Sequence, residues 1–455
     1  AERREPAPEP AAADERAPEP AADSVIPGAA PPEQVDALLE RVSSESLEDM
    51  VARLAGFGTR HTLSDTESDE RGIGAARRWM AEELGRHAEG TPLTVSLDAH
   101  TQPADGQRLP NDVEIVNVVA VLPGAMEQAK DRYYYVIGHY DSRASDVMDA
   151  ESDAPGANDD ASGVALVMEL ARVMAHGRFD STLVFMATAG EEQGLYGARL
   201  HAAAARADER DVRAVLSNDI VGDPTSPLGE PQPDHVRVFS QALPAEPTEE
   251  ELARIRALGA ESDSESRQLA RYVRDVATWQ GLSIEPLLVF RTDRFMRGGD
   301  HIAFNDEGFA AVRFTEVDET YERQHQDVRT EDGVSYGDLP ELVDAEYLAA
   351  VTRLNGAVLA HLANAPSVPG DPRIVMAGLS NDTTLRWEAS PEPDVAGYEV
   401  VWRTTVSPYW EHARDVGAVT EATLPISKDN HFFGVRAYDR HGYRSPVGFA
   451  GAARE

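Results

Sequence analysis

Two short apolar runs, residues 133–137 (YYYVI) and 183–187 (LVFMA), each stop at a cluster of ionisable side chains. Their length and their aromatic and β-branched content mark them as buried strands rather than helices. His139 and Asp141 follow the first run in HYDS, and Glu191 and Glu192 follow the second in AGEEQG. Asp159 lies between them in GANDDASG, a Gly-rich turn that opens a helix. Ligands of open α/β sheets collect at the carboxyl ends of strands, so these clusters are expected to meet. The chain has no cysteine, which excludes disulfides, thiolate zinc sites and cysteine nucleophiles. A metal site here can draw only on His, Asp and Glu.

Strands and helices alternate around this stretch. A periodic helix begins near Ser46, where Ser46 and Asp49 form a capping-box pattern ahead of Leu47, Met50, Val51 and Leu54. Gly56 and Gly58 end it. Further helices are expected over residues 70–86, 162–174, 195–205, 265–279 and 342–363. Strands are expected over 114–122, 133–137, 182–187, 214–218, 285–290 and 310–314. Residues 223–262 read as an acidic, solvated insertion. This alternation predicts an α/β fold with a mostly parallel mixed sheet covered by helices on both faces. Residues 1–32, rich in Pro, Ala and Glu, read as a disordered leader, and 33–366 as the catalytic unit. Beyond a Pro-rich stretch at 365–371, short alternating runs such as TTLRWEA and GYEVVWR predict an all-β sandwich over 371–455. Trp387, Tyr398, Phe433 and Tyr438 are its expected core and framing aromatics.

The formal charge of −38 would repel phosphate and excludes nucleic acid as a partner. No run approaches the roughly 20 apolar residues of a spanning helix. Basic residues are nearly all arginine, with Lys130 and Lys428 as the two lysines.

Two divalent ions held side by side need a carboxylate that reaches both and terminal ligands on each. His139 and Asp159 can begin such a centre; Glu192, Asp219 (in SNDIVG) and His325 (in QHQD) can complete it. His139 and Asp141 are two apart, so on an extended chain they share a side, and Asp141 can accept from the ring N–H. Adjacent Glu191 and Glu192 cannot share one strand face, so one can bind metal while the other acts as general base.

Taken in order, HYDS, GANDDASG, ATAGEEQGLYGA, SNDIVG and the late GGDH, FTE and QHQD resemble the co-catalytic dizinc aminopeptidases over residues 33–365. These include secreted bacterial leucyl aminopeptidases and aminopeptidase Y. The resemblance implies a zinc-exopeptidase fold, two Zn2+ per chain and hydrolysis of peptides at a free N-terminus. By motif, it implies His139 and Glu192 as terminal ligands of different ions and Asp159 as the bridge. Asp219 and His325 would be the remaining ligands, Glu191 the general base and Asp141 the partner of His139. It also implies a cis peptide bond between Asp159 and Asp160, and export to the periplasm or medium of a bacterial-type cell.

There are departures. Gln324 stands where secreted relatives often place a tyrosine before the last histidine, and Tyr321 lies four residues before that histidine. Asp300 and His301, in RGGDHIAF, either line the pocket or hold a loop. Arg291, Arg294 and Arg297 form a solvated face or supply a contact to a substrate carboxylate. Residues 371–450 resemble a fibronectin type III domain, which implies attachment or spacing. The rival readings are a metallocarboxypeptidase, a glutaminyl-cyclase-like enzyme on the same fold, and a non-catalytic adhesive scaffold.

Overall fold

The computed structural model describes residues 33–377 and 379–453; the expected leader, 1–32, lies outside them. The main sheet has eight strands: β1 (Thr94–Gln102), β2 (Val113–Leu122), β3 (Arg132–His139), β4 (Thr182–Thr188), β5 (Asp211–Asn218), β6 (His235–Ser240), β7 (Glu285–Val289) and β8 (Ala311–Thr315). Their spatial order is β1-β2-β4-β3-β5-β8-β6-β7. The central run β4-β3-β5-β8 is parallel, and so is β6-β7. The junctions β1-β2, β2-β4 and β8-β6 are antiparallel.

Strand periodicity divides the core. Val118, Ala120, Tyr134, Val136, Leu183 and Phe185 point to one face, with Val119, Tyr135, Ile137, Val184 and Met186 on the other. α1 (Glu33–Leu39) and α2 (Ser44–Ala55) form an outer layer over the first face, which α3 (Gly72–Ala88) and α4 (Ser162–Met174) cover directly together with two later helices. The short α5 (Glu191–Gly194) follows β4, and α6 (Tyr196–Ala207) crosses the second face. Next come α7 (Glu249–Leu258), α8 (Glu265–Trp279), α9 (His301–Asp306), which packs on the second face, and α10 (Ala345–Asn364).

Three expectations change. Ser43, not Ser46, caps α2, accepting from the Ser46 amide at 3.1 Å. The supposed acidic insertion contains β6, whose Val236, Val238 and Phe239 are buried in the sheet. Glu191 and Glu192 start a helical turn rather than continuing β4; their side chains diverge because successive residues on a helix lie about 100° apart.

A small hairpin, β9 (Arg329–Glu331) and β10 (Val334–Tyr336), precedes α10. The C-terminal region forms two four-stranded sheets. One contains β11 (Gly370–Val375), β12 (Thr383–Glu388), β15 (Glu421–Leu424) and β18 (Gly451–Ala453). The other contains β13 (Val395–Thr404), β14 (His412–Gly417), β16 (His431–Asp439) and β17 (Gly448–Phe449). Trp387, Tyr398 and Phe433 are in their shared core, whereas Tyr438 frames it, donating its hydroxyl to Asp415 at 2.9 Å.

These sheets pack on α8 and α10 largely through polar groups. Arg132 pairs with Glu392 at 3.1 Å, and the Tyr272 hydroxyl donates to the Arg444 carbonyl at 2.7 Å. His361 of α10 lies edge-on to Tyr443, 5.4 Å between ring centroids, and contacts Gln280 Oε1 at 3.2 Å. Burial, with Arg444 nearby, pushes its imidazole down to about 4 from the ordinary 6.5. The folded state therefore favours the neutral ring, and this stabilisation is full above 6.5 and lost as pH falls toward 4. Between pH 7.5 and 4 the wild type is expected to lose about 3 kcal/mol relative to His361→Gln. Urea titration of both proteins at the two pH values checks this; parallel pH dependence would show that the ring is not held neutral.

Candidate metal centre

The parallel strands β3, β4 and β5 end side by side, and their carboxyl ends deliver the site. His139 is the last residue of β3, Asp219 follows β5, and Glu191 and Glu192 follow β4. Asp159 lies in the kinked turn Ala157–Ala161, where Asp159 and Asp160 have non-helical dihedrals and the peptide bond between them is cis. His325 comes from the loop after β8.

Asp160 and Asp338 fix this arrangement. Asp160 Oδ2 accepts from the His139 amide at 3.0 Å, and its Oδ1 from the amides of Gly163 at 2.9 Å and Ile220 at 3.3 Å. One carboxylate thus ties together the end of β3, the start of α4 and the segment after β5. Asp338 accepts from the amides of Asn158 and Asp159, the latter at 2.7 Å; burial pushes its carboxyl up to about 7. Ile220 and His325 adopt left-handed φ values of 63° and 52°, which for these residues cost on the order of 1 kcal/mol each.

All five expected ligands converge. His139 Nε2 is 3.1 Å from Asp159 Oδ1 and 3.8 Å from Asp219 Oδ1. His325 Nε2 is 3.0 Å from both Asp159 Oδ2 and Glu192 Oε1. Two donor groups result, His139–Asp159–Asp219 and Asp159–Glu192–His325, and they share Asp159 through its two oxygens. A tetrahedral ion with ~2.0–2.2 Å bonds has ligand–ligand edges of about 3.3 Å, so the observed separations fit. Glu192 Oε1 is buried and, despite its proximity to His325, makes no hydrogen bond of acceptable geometry. Nitrogen and oxygen donors without sulfur suit zinc or a similar divalent ion.

His139 Nδ1 lies 3.1 Å from the backbone carbonyl of Asp141 and 3.6 Å from its carboxylate. The carbonyl is the closer acceptor, and it leaves Nε2 facing the ligand cluster. The Asp141 carboxylate accepts from the amides of Glu191 at 3.2 Å and Glu192 at 3.1 Å, and from the Thr62 hydroxyl at 3.1 Å. Asp141 thus positions the turn that carries both glutamates.

The electrostatics are those of crowded carboxylates. Burial opposes charge on His139, but Glu191, Asp141, Asp159 and Asp219 outweigh it and hold the ring well above its ordinary value. His325 is likewise raised to about 10, burial being overcome by Glu192 and Asp159. A cation entering the site must displace protons from both rings. Half-buried Glu191 is held well above the usual carboxylate range by burial, with Glu192, Asp219 and Asp300 adding to it against His139.

Asp300 accepts from the Thr188 hydroxyl, and His301 Nε2 contacts the Thr292 carbonyl at 2.8 Å; both anchor the loop before α9. Arg313, fully buried in β8, pairs with Asp219 Oδ1 at 2.9 Å. Neither Arg313 nor Asp338 carries a motif in the sequence, whereas Asp160 stands beside the predicted bridge in GANDDASG.

The sequence profile of peptidase family M28 matches residues 117–345. A protein of Leptosphaeria maculans described as a "probable zinc metalloprotease" is 46% identical over 92% of this chain and 97% of its own length. The chain belongs to peptidase family M28. A second M28-type relative, a "probable zinc metalloprotease" of Pyricularia oryzae, is 45% identical over 93% of this chain and 85% of its own. These relatives are fungal, and the bacterial-type origin expected from the sequence finds no support among them. The fold is shared with LapA of Legionella pneumophila (18% identity, TM-score 0.51, covering 72% of this chain and 76% of that one). It is also shared with an aminopeptidase from Aneurinibacillus sp. strain AM-1 (14%, TM-score 0.50, covering 72% and 96%). Among the described residues no helix is long and apolar enough to cross a membrane.

Proposed function

We propose that this M28 peptidase is a zinc aminopeptidase with two ions per chain. The observation that carries the reading is the pair of donor groups sharing Asp159. His139 and Asp219 would hold one ion, Glu192 and His325 the other, with Asp159 between them. The ions would supply Lewis acidity toward the scissile carbonyl and a lowered pKa for water.

Glu191, half-buried beside the centre, belongs to neither donor group and would act as the general base. In its carboxylate form it takes a proton from the attacking water; the oxygen bonds to the carbonyl carbon, the C–N bond breaks, and Glu191 returns the proton to the leaving amine. The carboxylates attract a free α-amine. Retention of every ligand position speaks against the single-metal cyclase and the scaffold. The C-terminal sheets, β15-β12-β11-β18 and β14-β13-β16-β17, with Trp387, Tyr398 and Phe433 in their shared core, support a fibronectin type III-like unit at 371–455.

The test is cleavage of leucine p-nitroanilide beside its N-acetylated form, with and without a zinc chelator. Only the free-amine substrate should be cut, with activity lost on chelation and restored by zinc. Metal analysis should give two zinc ions per chain. Asp159→Asn should lower both occupancies, and Asp219→Asn chiefly one. Equal cleavage of both substrates would overturn N-terminal recognition, and one zinc in the active wild type would overturn the dinuclear count.

A further inference from the structure

Beside the metal centre, four arginines crowd around two acids. Arg237, Arg294 and Arg297 contact the single carboxylate of Glu319 at 3.1, 2.9 and 2.7 Å. Asp293 pairs with Arg294 at 3.0 Å and with Arg313 at 3.4 Å. Four guanidinium charges against two carboxylates leave a surplus of two. Asp219 is the remaining acid in contact, and under the reading above its charge is engaged by metal. The Glu316 carboxyl group is turned away from the guanidiniums, accepting from Asn158 Nδ2 at 2.8 Å and from the Asp223 amide at 2.9 Å. A cluster with more guanidinium than carboxylate contacts, in a chain of net charge −38, favours an anion beside it.

The cluster is most open to solvent at Arg297. Side-chain exposure is 30% for Arg297 against 20% for Arg237, 8% for Arg294 and 0% for Arg313. Only Nη1 of Arg297 is engaged; its Nε and Nη2 have no hydrogen-bond partner among the described residues.

Arg297 is also close to the reacting position. The following Gly298–Gly299 segment lies against the ligands: a Cβ on Gly299 would fall 2.5 Å from Arg313 Nη1 and 3.3 Å from Asp219 Oδ2. On its other side Arg297 Nη1 is 3.5 Å from Gln324 Oε1, and Gln324 Nε2 donates to Asp159 Oδ2 at 3.1 Å. Through its engaged Nη1, Arg297 is therefore separated from the shared carboxylate of Asp159 by one side chain, Gln324. Tyr321, its ring centroid 5.9 Å from the guanidinium carbon, and Phe295 and Met296 are exposed around it.

We propose that Arg297 is a specificity-determining residue that binds a substrate carboxylate within one residue of the scissile bond. This rests on the aminopeptidase reading and names its substrate class. The carboxylate has two sources, an acidic first side chain or the free C-terminus of a dipeptide. A planar guanidinium with its edge free matches either one.

Glutamyl and glutaminyl p-nitroanilides differ only in that charge, as do leucyl-leucine and leucyl-leucinamide at the other end. In the wild-type zinc enzyme one charged member should exceed its neutral twin in kcat/KM by roughly tenfold or more, the scale of a charge-assisted hydrogen bond. Arg297→Gln should bring that ratio close to one, and Arg297→Lys should retain part of it. Because each ratio is taken on one protein sample, partial unfolding of a variant cancels. A glutamyl preference assigns the carboxylate to the first side chain, and a leucyl-leucine preference to the C-terminus. Flat ratios in an active wild type, or a preference that survives Arg297→Gln, overturn the proposal while leaving the aminopeptidase standing. Silence on every free-amine substrate overturns both.

Discussion

Glu191→Gln is expected to lower kcat on leucine p-nitroanilide by roughly 10²–10⁴-fold, the span of a lost general base, with zinc content unchanged. Glu191 and Glu192 are chemically identical neighbours, and the geometry separates their roles. Glu192 Oε1 is 3.0 Å from His325 Nε2 and belongs to a donor group; Glu191 belongs to neither group. Its amide is held by Asp141 Oδ1, so glutamine enters the same backbone position with nearly the same shape. What it lacks is a basic oxygen. The substitution also removes one charge from a crowded set, so the metal-free variant should be at least as stable as the metal-free wild type. Steady-state kinetics, metal analysis and a thermal melt on one preparation test this. Loss of zinc along with activity would make Glu191 a ligand, and activity within tenfold of wild type would sink its role as base. Glu192→Gln, by contrast, should lose metal first.

His139, Asp219, Glu191 and Glu192 were legible in the sequence as candidates because each stands at or just beyond the end of a buried strand, whereas Asp159 and His325 lie in a turn and a loop and were marked by motif alone. A buried apolar run that ends in HYDS or SNDIVG has nowhere to place its polar groups except the carboxyl edge of the sheet. Helices over 162–174 and 265–279 were expected at the bounds observed, since their buried stripes are continuous. What escaped was weakly patterned. β1 is an edge strand with a mostly solvated sequence, TVSLDAHTQ, and β6 is a six-residue strand inside acidic, Pro-rich surroundings. The residues that orient the ligands were also hidden. Arg313 is a lone arginine within an apolar strand, and Asp338 sits in a turn 179 positions from the amide of Asp159 that it accepts from. No local signal could reveal contacts made only by tertiary structure.

The same long-range character predicts that the C-terminal unit cannot be treated as a loose appendage. Asp263→Asn is expected to destabilise the protein by about 3–5 kcal/mol, the cost of leaving buried charge without its partner. Asp263, just ahead of α8, receives both oxygens' worth of contact from Arg403 of β13, at 2.9 and 2.7 Å, and a further contact from Arg271 at 3.2 Å. The carboxylate is 0% exposed, and the two arginine side chains are 3% and 2% exposed. Burial already pushes Arg271 down to about 10 even with Asp263 beside it. Asparagine keeps the volume and one carbonyl but strands two guanidiniums in a site water does not reach. Urea unfolding of the wild type, Asp263→Asn, Arg403→Met and the double variant checks this as a cycle. The double variant should recover part of the loss, because removing both partners leaves less unpaired charge than removing one. A loss below about 1 kcal/mol, the scale of an exposed pair, would mean that solvent enters this seam and that the β-sheets move independently of α8. A large loss would make the sandwich part of what holds α8. That helix packs against β6, β7 and β8, and β7 leads directly into the arginine-bearing segment beside the candidate metal centre.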